Sequence, residues 1–379
     1  MADPSGQRVV NAIRTRSKDW FTAHRIRRSS ARISALDALS AREYARTVVL
    51  RKDVEDTSQV ISLARGRQPE KLAIETSKRT LNILRGTSVF AHYGLIVSPS
   101  GLLLADSMVK RKTLIDKLEG GRLHRPTRHI ALDRPTYSLS VHPNLYHFWR
   151  ETMVPLALLH EPEVDQIGPI WVTVTRDLDP WRRQVIEAAL PAHAELLMVP
   201  ENALVRSPLT IFPTPYRSVV FSSSVVKQLR EWARVLEPEI TDSSTDFVYI
   251  SRRNTRWRRP RNESELLPEL ARRNVIPLML EEMTPADRAG AFLKARAVIG
   301  QSGAGLTNLL HARPDTDVLE VRSADHYGEY WPGLTASLGQ RITVVGGSDN
   351  DPDADLDLPV GNIIAWVDTL QATLRSQNG

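Results

Sequence analysis

The stretch Ala297-Val-Ile-Gly-Gln-Ser-Gly-Ala-Gly-Leu-Thr-Asn-Leu-Leu-His311 leaves the chain few options. Ala297 to Ile299 is a short apolar run that reads as a buried strand. Gly300 to Gly305, with Ser302, Gly303 and Ala304 between, reads as a tight turn, and Leu306 to His311, including Asn308, as helix. A glycine-rich turn from strand to helix aims backbone N–H groups at a helix N-terminus, where a phosphate is favoured. Thr316 to Val321 reads as the next strand, with Glu320 near its carboxyl end. An acidic side chain there accepts hydrogen bonds from a ribose in other nucleotide-binding α/β folds. A plain tight loop that needs glycine for positive φ is the other reading of the same residues.

The rest of the chain repeats this strand-and-helix texture. In the first half, Val89 to Val97, Leu102 to Ala105, Arg128 to Leu132, Tyr137 to Val141, Pro169 to Thr175 and Glu195 to Val199 read as strands. Leu145 to His160 and Trp181 to Ala189 read as helices, the first kinked or ended by Pro155. In the second half, strands are expected at 219–222, 247–251, 275–280 and 341–345. Helices are expected at 225–236, 263–272, 285–294, 331–338 and 361–375. The alternation implies βα units around mainly parallel sheets. The expected division is a basic, partly helical extension over 1–85, an N-terminal α/β domain over 86–205 and a C-terminal α/β domain with a final helix over 206–379. Ile33 to Val49 is the expected helical part of the extension.

Bulk composition narrows the functional classes. With 379 residues, 41% of them hydrophobic, there is ample material for a large soluble core. A formal charge of +6 points to an anionic partner, yet is small for this length, which weighs against nucleic acid. The first 60 residues hold Arg14, Arg16, Lys18, Arg25, Arg27, Arg28 and Arg32, a basic arm suited to an anionic membrane face or to plain solvation. Without cysteine, disulfides and thiolate chemistry are excluded. No apolar run is long enough to span a membrane, and no signal-peptide pattern opens the chain, so a cytoplasmic location is expected. The sequon Asn262-Glu-Ser264 then reads as accidental.

Two clusters carry the chemistry. Tyr249-Ile-Ser-Arg-Arg253 sets Arg252 and Arg253 just beyond a strand, where α/β folds bind ligands. Guanidinium forks suit phosphate there. Arg256, Arg258, Arg259 and Arg261 read as a solvated basic loop. In Asn144-Leu-Tyr-His-Phe-Trp-Arg-Glu151, His147 and Glu151 share one helical face, so the carboxylate can orient an imidazole base. A hydrogen-bonded structural pair is the alternative. Asp177 with Asp179, and Asp353, Asp355 and Asp357, offer oxygens to a divalent ion but read better as turn residues.

In order along the chain, Asn144…His147-Phe-Trp-Arg-Glu151 with Pro155, Ile250-Ser-Arg-Arg253 with Asn262 and Glu263, Ser302-Gly-Ala-Gly-Leu-Thr-Asn308 and Val318-Leu-Glu320 resemble glycosyltransferase family 61, over about residues 137 to 340. The resemblance implies two facing Rossmann-like domains of the GT-B type and an inverting, metal-independent transferase with no cofactor. It implies a nucleotide-sugar donor and a glycan or other hydroxyl acceptor. Arg252 or Arg253, Ser302 to Gly305 and Glu320 would serve the donor, while His147 and Glu151 would line the acceptor side. Asn144 and Asn308 belong to the same motifs. The competing expectation is a non-catalytic binder of an anionic glycan or nucleic acid.

Overall fold

A computed structural model describes residues 33–34, 44–50, 59–63, 70–72, 79–99, 103–104, 126–175, 178–213, 223–239, 246–255, 258–323, 330–347 and 355–378. Its contacts divide the chain into two units, Met1–Lys52 with Ser77–Arg217 and Asp53–Thr76 with Ser218–Gly379. Arg14 to Arg32, Asp177, 219–222, Arg256 and Asp353 lie outside the described residues.

The first unit holds two six-stranded sheets. One runs Ala194–Met198, Ile170–Val174, Thr136–Ser138, Leu209–Pro213, Arg79–Arg85, Tyr44–Leu50. Its first four strands are parallel, and the last two add antiparallel to the edge. Among those four the spatial order, in sequence terms, is 3-2-1-4, the start of a doubly wound Rossmann-like sheet. Ile170, Val172 and Val174, which share one face of their strand, are fully buried, and on the other face Thr173 is buried and Trp171 partly so. The other sheet runs Ile33–Ser34, Leu103–Leu104, Leu95–Val97, Ser88–Phe90, Ala203–Arg206, Arg128–Ala131. The single strand expected over 89–97 is instead a hairpin. Gly94, at φ 62°, takes the left-handed conformation that reverses the chain.

The second unit holds one seven-stranded sheet, Val275–Leu278, Asp246–Ile250, Ala295–Gln301, Asp317–Arg322, Arg341–Gly346, Gln59–Leu63, Glu70–Leu72. All neighbours are parallel except the last pair. Its first five strands follow the order 2-1-3-4-5, so the topology reverses between Asp246–Ile250 and Ala295–Gln301. One face packs Tyr249, Ile299, Leu319 and Val321 against helices Glu263–Ala271 and Val360–Asn378, which contribute Leu266, Leu270, Ile363 and Val367. Each such buried side chain contributes roughly 1.5–3 kcal/mol of transfer free energy.

Several expectations are corrected. Residues 44–50 are a strand rather than helix, as β-branched Thr47, Val48 and Val49 favour. The stretch 1–85 is not a separate extension throughout: Tyr44–Leu50 and Arg79–Arg85 edge the first unit's sheet, and Gln59–Leu63 and Glu70–Leu72 edge the second's. A boundary at 205/206 would cut strand Ala203–Arg206, and Leu209–Pro213 still pairs within the first unit. No helix among the described residues is long and apolar enough to cross a membrane.

The loop after Arg253 is also not simply solvated. Arg259 and Arg261 pair with Asp355 and Asp357, the latter through two 3.0 Å hydrogen bonds from Arg261. These exposed pairs each contribute little. Asn262 is half-buried and holds both polar groups of Leu358: its Nδ2 donates to the carbonyl at 3.0 Å and its Oδ1 accepts from N–H at 2.7 Å. That amide is committed to the fold, which explains the sequon as accidental. Asn262→Ala is expected to lower unfolding free energy by about 1–3 kcal/mol, since it strands two backbone groups. Urea denaturation should show a lower midpoint at an unchanged slope; a wild-type midpoint would mean the clasp contributes nothing.

Candidate active site

The carboxyl ends of Asp246–Ile250 and Ala295–Gln301 bring Arg252 and the glycine loop together. Buried Glu263 sets the first of these turns: its Oε1 accepts from Tyr249 Oη at 2.8 Å and from the Arg252 N–H at 3.4 Å. Burial, and then the neighbouring Glu263 charge, push the Tyr249 phenol well above its usual range, so it stays a donor. Thr255 closes the turn with its N–H and hydroxyl on the Arg252 carbonyl, at 3.0 and 2.8 Å. The guanidinium of Arg252 then lies over Gly303, where any Cβ would collide with it. Burial, and next the charge of Arg258, pull Arg252 down to about 10, which leaves it cationic at neutral pH.

Glycine here provides space. Gly303 is extended at φ 166°, a conformation open to any residue. A Cβ at Gly300 would sit 3.0 Å from both Ile250 and Leu306, and one at Gly305 3.0 Å from Leu280. The expectation of positive φ is therefore replaced by close approach. The helix that follows, Ala304–Leu310, is a 3-10 helix of seven residues. Asn308 is 6% exposed and donates to the Gly305 carbonyl at 2.8 Å, so its amide braces the loop. Arg253 is exposed and reaches Met279 Sδ at 3.2 Å. Arg258, a residue whose role the sequence did not single out, adopts φ 55° and donates to the Ser302 carbonyl at 3.0 Å.

Beneath this loop Glu320 is 1% exposed. Ser302 Oγ accepts from Trp331 Nε1 at 3.2 Å and bonds the carboxyl of Glu320, whose Oε2 has no partner. Both amide atoms of buried Gln301 and the hydroxyls of Thr307 and Ser323 are likewise without partners. Buried polar atoms in that state are the ones a bound ligand or water satisfies.

In the first unit, strand Thr136–Ser138 leads into the loop and helix that carry the second cluster. Asn144 caps the helix, its Oδ1 accepting from the His147 N–H at 3.3 Å. Pro155 has no N–H to give the Glu151 carbonyl, and Phe148–Met153 widens into a π-helix that ends with Val154 N–H on the Trp149 carbonyl. The proline is thus absorbed without ending the helix, and π turns recur at functional sites. Phe148, Trp149 and Met153 face the core, while His147 and Glu151 are partly exposed. His147 Nδ1 lies 2.7 Å from Glu151 Oε1. An ionised carboxylate only accepts, so Nδ1 holds the proton and Nε2 keeps its lone pair.

His142, missed in the sequence, lies against His147 with ring centroids 4.5 Å apart and planes tilted by 38°. His142, His147 and Glu151 offer atoms within 4.8 Å of one another, a spacing a divalent ion accepts. The wiring of His142 opposes that use. Its Nδ1 accepts the Asn144 N–H at 3.1 Å, which leaves the neutral ring's proton on Nε2. Metal-bound histidines instead donate from their other ring nitrogen. Asp179 is paired with Arg182, as Asp355 and Asp357 are with arginines. No structural signal was needed to find His142: it stands five residues before His147 and was legible as a neighbour.

The second unit thus sets a guanidinium and a glycine loop at the switch point of its mainly parallel sheet, and the first unit sets an imidazole–carboxylate pair beyond a parallel strand, an arrangement of α/β enzyme type. Residues 145–319, a little under half of the chain, match the family model Glycosyltransferase 61. The match makes the chain a glycosyltransferase, and the expectation of a non-catalytic binder gives way. The match takes in His147, Glu151, Arg252, Arg253 and Ser302 to Asn308, while Asn144 and Glu320 lie one residue outside its two ends. No curated protein matches the chain.

Glu320 supplies a test independent of substrate. Burial raises its pKa from 4.5 to about 7, against the smaller opposing effects of Arg322 and the Ser302 hydrogen bond. The folded chain therefore holds a proton that the unfolded chain releases between those two values. Stability should fall as pH rises through that window, by up to about 3 kcal/mol. Glu320→Gln removes this slope. Urea denaturation from pH 4.5 to 8 should show the variant gaining on wild type as pH rises; parallel curves would exclude the buried ionisation.

Proposed function

We propose that the chain transfers a sugar, with inversion, from a nucleotide-sugar donor to a hydroxyl acceptor in surface polysaccharide or glycoconjugate assembly. The observation that most supports this is the Arg252 guanidinium lodged against Gly303, with Arg258 on the Ser302 carbonyl. Two fixed cations beside a loop at a topological switch point suit a diphosphate. The first N–H groups of a helix add to that field, since they lack intrahelical acceptors. A GT-B arrangement of facing domains belongs to the same reading and rests on the family resemblance. A cytoplasmic location, and contact of residues 1–60 with an anionic membrane face, are part of it on sequence grounds alone.

Inversion takes one in-line displacement. The acceptor oxygen bonds the anomeric carbon while the bond from that carbon to the diphosphate oxygen breaks, and its electron pair leaves with the diphosphate. Arg252 and Arg258 offset the charge that develops there. The acceptor proton passes to Nε2 of His147, and Glu151 stabilises the imidazolium from Nδ1. Asn144 fixes the start of the helix on which both stand.

Hydrolysis of a panel of sugar nucleotides, run in EDTA, tests the reading and names the donor: one donor should be turned over in the chelator, and restoration only by added Mn²⁺ would overturn the arginine-based scheme. With that donor, His147→Ala should depress kcat by about 100- to 10,000-fold, and change donor affinity little. Near-normal kcat in both His147→Ala and Glu151→Gln would put the base elsewhere. Gly303→Val, which displaces Arg252, should weaken donor binding by roughly 10-fold or more in calorimetry, the scale of a lost charged contact. Wild-type affinity would remove the loop from the donor site.

A further inference from the structure

Gln301 is the last residue of strand Ala295–Gln301, directly before the loop that carries Gly303. It is 5% exposed, yet neither its amide nitrogen nor its amide oxygen has a hydrogen-bond partner. Across the parallel ladder it stands abreast of Val321, and Ser323 follows two residues on, just past the strand's end, 4% exposed with an unpartnered hydroxyl. Ladder bonding continues past this point, from Ser302 N–H to the Val321 carbonyl and from Gly347 N–H to the Arg322 carbonyl, both at 2.7 Å. The backbone is thus saturated while two side chains are not. Leaving a buried amide empty opposes folding, so a fold that retains one has a use for it or fills it with water.

The chemistry of a carboxamide narrows the use. It presents one acceptor and one donor, coplanar and adjacent. An ionised phosphate offers only acceptors and would leave the amide oxygen unmet. A planar edge with a neighbouring donor and acceptor meets both atoms, and that is what a nucleobase presents. We propose that Gln301, assisted by Ser323, reads the edge of the donor's nucleobase and so sets which nucleotide the enzyme accepts. This rests on the nucleotide-sugar reading above. The phosphate contacts are assigned to other residues, Arg252, Arg258 and the loop, so grip and base selection are separable.

Calorimetry on the full chain with UDP, GDP, ADP, CDP and inorganic pyrophosphate separates them. Wild type should prefer one nucleoside diphosphate over the least favoured by roughly 10-fold or more, the scale of one good bidentate base contact. Gln301→Leu should bring the four nucleotides to within about 3-fold of one another and leave pyrophosphate affinity unchanged. Ser323→Ala should narrow the preference in the same sense by less. Ligand-free Gln301→Leu should melt at or above the wild-type temperature, because an unsatisfied amide is replaced by an apolar group of similar size. A variant that keeps the wild-type preference overturns the proposal, as does one that melts lower with its preference intact, the result expected if water occupies the amide. Failure of every nucleotide and of pyrophosphate to bind wild type would instead sink the donor-site reading itself.

Discussion

The packing of the Arg252 guanidinium on Gly303 is the contact on which the rest of the second unit's site depends. It is possible only because residue 303 has no Cβ and because Glu263, from the following helix, fixes the turn that carries Arg252. Gly300 and Gly305 extend the same logic, since side chains there would press on Ile250, Leu280 and Leu306. The loop therefore lies close enough to the sheet for the partly buried Arg252 guanidinium to rest against its backbone. A phosphate-sized group needs that arrangement.

The same edge of the sheet is not optimised for stability. Glu320 keeps a carboxyl in a site where burial opposes its charge, and Gln301, Thr307 and Ser323 keep polar atoms without partners. Other polar groups of this unit are well matched: Asn262 holds both groups of Leu358, and Asp317 is bracketed by Arg296 and Arg341. Buried polar groups gathered at the carboxyl end of a sheet, where α/β folds bind their ligands, are a cost to stability that a packed apolar core would not carry.

In the first unit the equivalent tension is in the helix backbone. Pro155 removes a donor one turn after Glu151, and the chain answers with a π turn across Phe148–Met153. The turn keeps Phe148, Trp149 and Met153 in the core and still brings His147 to within 2.7 Å of Glu151. A hydrogen bond of that kind orders the imidazole, with its proton on the side of the carboxylate.

The βα alternation of the second unit was legible residue by residue. Apolar runs such as Ala297 to Ile299 and Val318 to Val321 can only be strands covered on both faces, and glycine spacing marked the loop between strand and helix. The family motifs pointed to Arg252, His147 and Glu151 for the same reason: their positions are local to one strand end or one helix turn. What depended on distant chain was not legible. Strands 44–50 and 59–63 gained their place only by adding to sheet edges formed far along the sequence, and local β propensity, as at Thr47 to Val49, does not say which sheet a strand joins. Arg258, Arg259 and Arg261 look alike in sequence, yet one turns to Ser302 and two to Asp355 and Asp357 nearly a hundred residues on. Sequence by itself determined the periodicity, the glycine loop and the chemistry of each cluster, because these follow from neighbouring residues. The tertiary structure alone decided which cation meets the loop and which polar groups stay unsatisfied, because both depend on pairings across the fold.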